Sequence, residues 1–172
     1  KPANILKSVL VKAEGDVKVS TDAKGAIFES SSFTLSCRFV NGTYPKYNSV
    51  IPQNNPYKLV VDRVSLLNAI RRVSVFANAS GLVIFQLKEN EIYMKAEDRE
   101  FSTMAEERMS CDYQGEEMLI GFNNTKMIDV LNNINSDTLV VTLSGPSRAG
   151  VFLPETQEDG EEMLVLLMPM MV

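Results

Sequence analysis

A repeat constrains this chain more than any other feature. A helical stretch over residues 3–13 is followed by Asp16, the strand VKVS, and then GAIF at 25–28. A later helical stretch is followed by Asp137, the strand TLVV, and then AGVF at 149–152. Each closes on a further apolar strand. A middle helix, with strands over 82–109, follows the same plan, so the chain reads as three helix-plus-strands units. One such unit cannot bury its own sheet face, so units must pair. Two of them make a complete domain from about residue 57 to 172, and one is left at the front. Its partner half is expected upstream, in keeping with the absence of an initiator Met. The fold class is α+β.

Periodicity places the elements. In the first helix Ile5, Val9, Leu10 and Ala13 share one face, and Asn4, Ser8 and Lys12 another. Pro2 suits its first turn. Short alternating segments at 16–20, 25–29 and 33–40 predict antiparallel strands. Residues 41–56, rich in Asn, Pro and Tyr, read as an extended linker. A strand at 59–61 leads to Asp62, which can cap a helix to about residue 76 with Leu66, Leu67, Ile70 and Val73 buried. Strands at 82–87 and 91–96 form a hairpin turning at Glu89-Asn90. Further strands are expected at 101–109 and 118–122. Asn123 or Asn124 caps a third helix, with Met127, Ile128, Leu131 and Ile134 inward. Strands at 139–143, 150–153 and 163–168 complete the pattern.

Charge and composition exclude several functions. The net charge is −5, too acidic to hold DNA by bulk electrostatics, which needs clustered Lys and Arg. The charge is uneven, however. Glu155, Glu158, Asp159, Glu161 and Glu162 crowd one stretch, while Lys1, Lys7 and Lys12 fall in the first helix region and Arg63, Arg71 and Arg72 in the second. The chain has no His, the commonest general base and metal ligand. Cys37 and Cys111 lack metal-site spacing. No glycine-rich phosphate loop appears. Acidic neighbours such as Glu97-Asp98 and Glu106-Glu107 would point to opposite faces of a strand, so they do not converge as an acid/base couple. No catalytic residue, metal or cofactor is expected. No run reaches the roughly 18 apolar residues of a membrane span, and Lys7 and Ser8 break any signal-peptide core. With two cysteines, a reduced cytoplasmic location is expected.

Three segments carry a family resemblance. LVLLMPMMV at 164–172 resembles the C-terminal strand and tail of the bacterial β sliding clamp, the processivity subunit of DNA polymerase III. FVNGTYPKYNSVIP at 39–52 resembles that family's link between its second and third domains, and IGFNNTKMIDVLNNI at 120–134 the start of its last helix. The order is right over essentially the whole chain. The resemblance implies a DNA-clamp fold of repeated units, with sheets outside and helices lining a ring of two head-to-tail chains. It assigns 1–52 to the C-terminal half of domain two with its linker, and 53–172 to domain three.

The resemblance also implies a function. Such a ring encircles duplex DNA without reading its sequence. It tethers the polymerase III catalytic subunit, the clamp loader and repair polymerases, which insert short peptides into a cleft. It is an accessory subunit and not itself an enzyme. The positions that match the cleft are Pro45, Ser49, Val50, Asn123, Lys126, Gly150, Leu166, Leu167, Met168, Pro169, Met170 and Met171, with Ser80 a further match. Ser49 and Lys126 stand where family members often carry Arg and Tyr, so peptide preference is expected to differ. Lys1, Lys7, Arg71, Arg72 and Lys126 are candidates to face DNA, and Val75 and Phe76 to meet the other chain of the ring. The alternative is a generic α+β peptide-binding or oligomerisation domain without a DNA role.

Overall fold

The first helix ends sooner than its apolar spacing predicts. The computed structural model describes residues 2–44 and 46–172. In it, α1 spans Pro2–Leu10. Beyond Leu10 the N–H groups of Lys12 and Ala13 donate to carbonyls three residues back, on Val9 and Leu10. This tightened turn uses up the helix end, and Gly15, at φ 80°, leads the chain away. The chain divides into two compact units, Lys1–Pro45 and Lys46–Val172.

The first unit carries α1 and a three-stranded antiparallel sheet in the order β1 (Lys18–Thr21), β2 (Gly25–Glu29), β3 (Thr34–Arg38). Asp22 Oδ1 accepts from the N–H groups of Lys24 and Gly25, both at 2.7 Å, and so shapes the first turn. The predicted apolar face of α1 buries nothing. Among the described residues of this unit, Ala26 is the only buried one.

The second unit begins with a 3-10 turn, Tyr47–Ser49, where an extended linker was expected. It continues with β4 (Tyr57–Asp62), α2 (Arg63–Ser74), β5 (Leu82–Lys88), β6 (Glu91–Asp98), β7 (Thr103–Ser110), β8 (Asp112–Gln114) and β9 (Met118–Asn123). Then come α3 (Asn124–Asn133), β10 (Thr138–Leu143), β11 (Gly150–Pro154) and β12 (Val165–Leu167). One sheet runs β12-β11-β10-β4-β8 and the other β7-β6-β5-β9.

The repeat is visible in this order. Each of α1, α2 and α3 is followed by a three-stranded antiparallel meander. In the second unit the two halves also exchange their leading strands. β4, which precedes α2, pairs with β10, and β9, which precedes α3, pairs with β5. The exchange locks the halves into one core. Leu66, Leu67, Ile70 and Val73 of α2 and Met127, Leu131 and Ile134 of the α3 region are buried there, with Ile128 partly so. Alternation sends Val83, Phe85 and Leu87 of β5 and Ile92, Met94 and Ala96 of β6 to the same side.

Four local departures have physical causes. The strand expected at 101–109 starts at Thr103, because Asp98 Oδ1 accepts from the N–H groups of Glu100 (2.9 Å) and Phe101 (3.3 Å), and Ser102 sits at φ 51°. The strand expected at 163–168 shrinks to Val165–Leu167. Gln157 occupies the Met163 backbone, donating to its carbonyl at 2.8 Å and accepting from its N–H at 2.9 Å. The Glu89-Asn90 hairpin turn forms without a positive φ at either residue. Its carbonyls accept instead from the N–H groups of Tyr113 (2.9 Å) and Cys111 (3.2 Å). Finally β8 was not foreseen. It has only three residues, too few for a pattern, yet it buries Tyr113 to 1 % exposure.

Candidate functional site

The tail straps the edges of the two sheets of the second unit together. β12 is the outer strand of its sheet and pairs with β11, Gly150 opposite Leu167. Past Leu167 the chain leaves that sheet, and Met170 bridges to Gly121 on β9, the outer strand of the other. The Met170 N–H donates to the Gly121 carbonyl at 2.8 Å. Gly121 has to be small. A Cβ there would stand 2.7 Å from Leu82 Cδ1, 2.8 Å from Val172 Cγ2 and 3.2 Å from the Met170 oxygen.

This crossing leaves apolar side chains in the open. Met168 is 65 % exposed and Met171 97 %; Val172 and Leu119 are also exposed. A groove of about 370 Å³ lies between Pro169, Met170, Met171 and Val172 of the tail, Leu119 of β9, and Pro146 and Ser147 of the β10–β11 loop. Met in such a wall adapts to differently shaped apolar partners.

The groove gathers Pro169, Met170 and Met171 from the expected cleft residues. Leu119, Pro146, Ser147 and Val172 are additions. Leu119 carried a signal. It is an apolar residue between the buried Met118 and Ile120, so alternation turns it outward. Leu167 and Gly150 instead lie in the core, where a Cβ on Gly150 would press on Leu143 and Phe152 at 3.1 Å each. Leu166 is half-buried. Asn123 accepts from the Lys126 N–H at 3.1 Å as the cap of α3, which decides between Asn123 and Asn124, and its amide donates to the Ser80 carbonyl at 3.0 Å. Ser49 Oγ donates to the Lys46 carbonyl within the 3-10 turn, and Val50 is exposed beside it. Neither Ser49, Val50, Asn123 nor Lys126 lines the groove. Pro45 and Lys1 lie outside the described residues.

The basic candidates divide. Lys7 on α1 is exposed. Lys126 is exposed in the first turn of α3, where the helix dipole disfavours a cation, so helix stability does not explain it. Arg71 donates to Asn132 Oδ1 at 3.3 Å, linking α2 to α3. Arg72 is held by Glu107 of β7 through two bonds, Nε to Oε2 at 3.0 Å and Nη2 to Oε1. That partner raises the guanidinium pKa. Arg63 has a structural task, with Nη1 donating to the Leu131 carbonyl at 3.0 Å and Nε to that of Ser136. Val75 and Phe76 follow α2 and are both exposed, and Phe101 and Met104, at the β6–β7 turn and on β7, are exposed as well. β7 is a free sheet edge among the described residues. No group of three or more His, Cys, Asp or Glu among the described residues is arranged to hold a metal, and no helix there is long and apolar enough to cross a membrane.

Comparison with known proteins decides the family. Residues 48–171 match the family model for the DNA polymerase III beta subunit, C-terminal domain. The chain belongs to the DNA polymerase III beta subunit family. The beta sliding clamp of Pseudomonas putida is 30 % identical over 164 residues, which cover 95 % of this chain and 44 % of that protein. The crystal structure of a sliding clamp, DNA polymerase III subunit beta, from Bartonella birtlesii bound to griselimycin superposes with a TM-score of 0.90 at 28 % identity, over 99 % of this chain and 45 % of that one. The sliding clamp of Caulobacter crescentus shares the fold at the same TM-score of 0.90. The chain thus has the α+β fold of the sliding clamps and spans rather less than half the length of the beta subunits it matches.

Proposed function

We propose that this chain is part of a ring-shaped sliding clamp, the processivity factor of bacterial DNA replication. Residues 1–52 would form the C-terminal half of domain two with its linker, and 53–172 domain three. A ring linked topologically to duplex DNA slides without tight contacts, which suits a net charge of −5. Lys7 and Lys126 would meet phosphates loosely, as positioning and not sequence-reading contacts, and Lys1 would join them. Val75 and Phe76, exposed just after α2, would meet the other chain of a homodimeric ring. The protein would act in the cytoplasm as a non-catalytic accessory of polymerase III.

The observation that carries this reading is the apolar groove beside the tail strap, in a family one of whose members was crystallised with griselimycin. The polymerase III catalytic subunit, the clamp loader and repair polymerases would each insert a short peptide with apolar ends. Burying two apolar anchors contributes roughly 1.5–3 kcal/mol each before the cost of ordering the peptide. Ser49, Val50 and Lys126 would bear on peptide preference, and Pro45 would as well.

A labelled peptide of the glutamine–leucine–aspartate–leucine–phenylalanine type, followed by fluorescence anisotropy, tests this. Saturable binding that disappears when residues 168–172 are deleted is expected. Absence of binding, or binding indifferent to the deletion, would leave a generic α+β domain as the better reading.

A further inference from the structure

The tail groove does not end at Leu119. A second groove of about 460 Å³ shares Leu119 and Pro146 with the first, and runs on past Glu116, Glu117, Tyr57 and Gly145. The apolar floor therefore continues into an acidic end. We propose that this end is an annex of the peptide site, and that it selects docking peptides carrying a basic residue beyond their apolar anchors. The proposal rests on the groove's being a peptide site and adds a charge requirement to it.

The charges favour a cationic occupant. Glu117 is already engaged, its Oε1 3.6 Å from Lys88 Nζ and accepting from Gln86 Nε2. The Glu116 carboxylate has neither a hydrogen bond nor an ion pair among the described residues. The annex thus keeps a net negative charge facing solvent, with Leu119, 49 % exposed, beside it.

Both walls are set before any peptide arrives. On the acidic side the Tyr113 hydroxyl donates to the Glu116 carbonyl at 2.8 Å and fixes the backbone there. Gly115 packs so closely that a Cβ would lie 2.7 Å from the Tyr57 ring and 2.8 Å from the Tyr113 oxygen. On the other side Gly145 adopts φ 146°, open to glycine alone, and Pro146 follows with its own φ fixed. A preformed groove spares the ordering cost that weakens binding at mobile surfaces.

The test compares five peptides on this chain by fluorescence anisotropy at low salt. One is the unextended glutamine–leucine–aspartate–leucine–phenylalanine peptide. The others carry two lysines or two glutamates, added to each end in separate syntheses. At one end the lysine form should bind about threefold to tenfold more tightly than the glutamate form, the range for one or two exposed ion pairs. That advantage should vanish in a Glu116→Gln, Glu117→Gln variant and in high salt. Binding of the unextended peptide with no lysine advantage at either end would overturn the annex and leave the peptide site standing. No binding of any peptide would overturn both. Sedimentation velocity addresses another occupant. A dimer of this chain that is lost in Leu119→Asp would show that a second copy covers the groove, and would overturn the proposal.

Discussion

Asp62 and Asn123 hold equivalent places in the two halves of the second unit. Each ends a strand that is lent to the other half, and each caps the helix that follows. Asp62 Oδ1 accepts from the Ser65 N–H at 2.7 Å, and Asn123 Oδ1 from the Lys126 N–H at 3.1 Å. Replacing either by Ala should cost about 1 kcal/mol in chemical denaturation. The two should differ in acid. The Asp62 carboxyl is held below the ordinary value of 3.8, first by its bond with the Ser65 side chain and then by the Ser65 N–H, with Arg63 adding charge. A folded pKa below the unfolded one gives stability that is full above the unfolded value and lost as pH falls through the folded one. Asn123 has no such proton to gain. An Asp62→Asn variant should therefore show a shallower loss of stability below pH 3.8 than the parent.

Phe122 joins the two sheets. Its ring meets Phe85, in its own sheet, and Phe152, in the other, edge-on with centroids 5.9 Å apart in each case. It is 3 % exposed. Phe122→Ala should cost about 3–5 kcal/mol, since a cavity there parts both contacts. Thermal unfolding followed by circular dichroism would measure it. A cost below about 1 kcal/mol would mean the core closes around the gap.

Much of this fold was legible because periodicity is local. The buried side of α2, at Leu66, Leu67, Ile70 and Val73, follows from a 3.6-residue period, and the inward residues of β5 and β6 from alternation. The repeat was legible for the same reason. The exchange of β4 and β9 was not, because nothing within a strand names its partner. The groove suffers most from this. Leu119, Pro146 and Met170 come from three distant segments that meet only because the tail crosses from one sheet to the other. Tail residues could be named as a strip of sequence, but strip and wall differ. Leu167 turns inward, while Met168 and Met171 stay outside.

Cys111 should be slow to react. Its thiol is pushed up to about 11, first by burial and then by the nearby Asp112 and Glu91 carboxylates. The thiolate is the nucleophile, so alkylation of Cys111 by iodoacetamide should stay slow at neutral pH and rise only toward pH 11. A thiol whose folded pKa exceeds its unfolded value contributes stability that is full below the ordinary value of 9.0 and lost as pH rises through about 11. Cys111→Ala should remove that alkaline slope. Mass spectrometry of the alkylated peptide gives the first result and denaturation at pH 8 to 11 the second. Rapid alkylation at neutral pH would contradict the assignment.

Arg72 should couple to Glu107 before it couples to DNA. The pair ties the last turn of α2 to β7, with the Nε–Nη2 edge of the guanidinium on the two carboxylate oxygens. In a double-mutant cycle, Arg72→Ala and Glu107→Ala should be less than additive at low salt. The coupling should shrink at about 0.5 M salt, since Arg72 is 62 % exposed and open to screening. Strict additivity would mean that the guanidinium is free, and would return Arg72 to the candidates for facing phosphate.

Gly121 decides whether the strap can lie down. Gly121→Ala would set a methyl group against Leu82 Cδ1, Val172 Cγ2 and the Met170 oxygen at once. Two of these are side-chain ends that can shift, but the third is backbone held by the bond from the Met170 N–H to the Gly121 carbonyl. One bridge, Met170 to Gly121, holds the tail to β9, while β9 is pinned by six paired residues of β5. The strap is therefore expected to lift and β9 to stay. Stability should fall by about 1–3 kcal/mol, the usual cost of overpacking. Hydrogen exchange should show Met170 losing protection while Phe122 and Ile120 keep theirs. Peptide affinity should fall in the same variant, because Pro169, Met170 and Met171 form one wall of the groove. If exchange rose evenly across β9 and β5 instead, the glycine would be serving the sheet and not the strap.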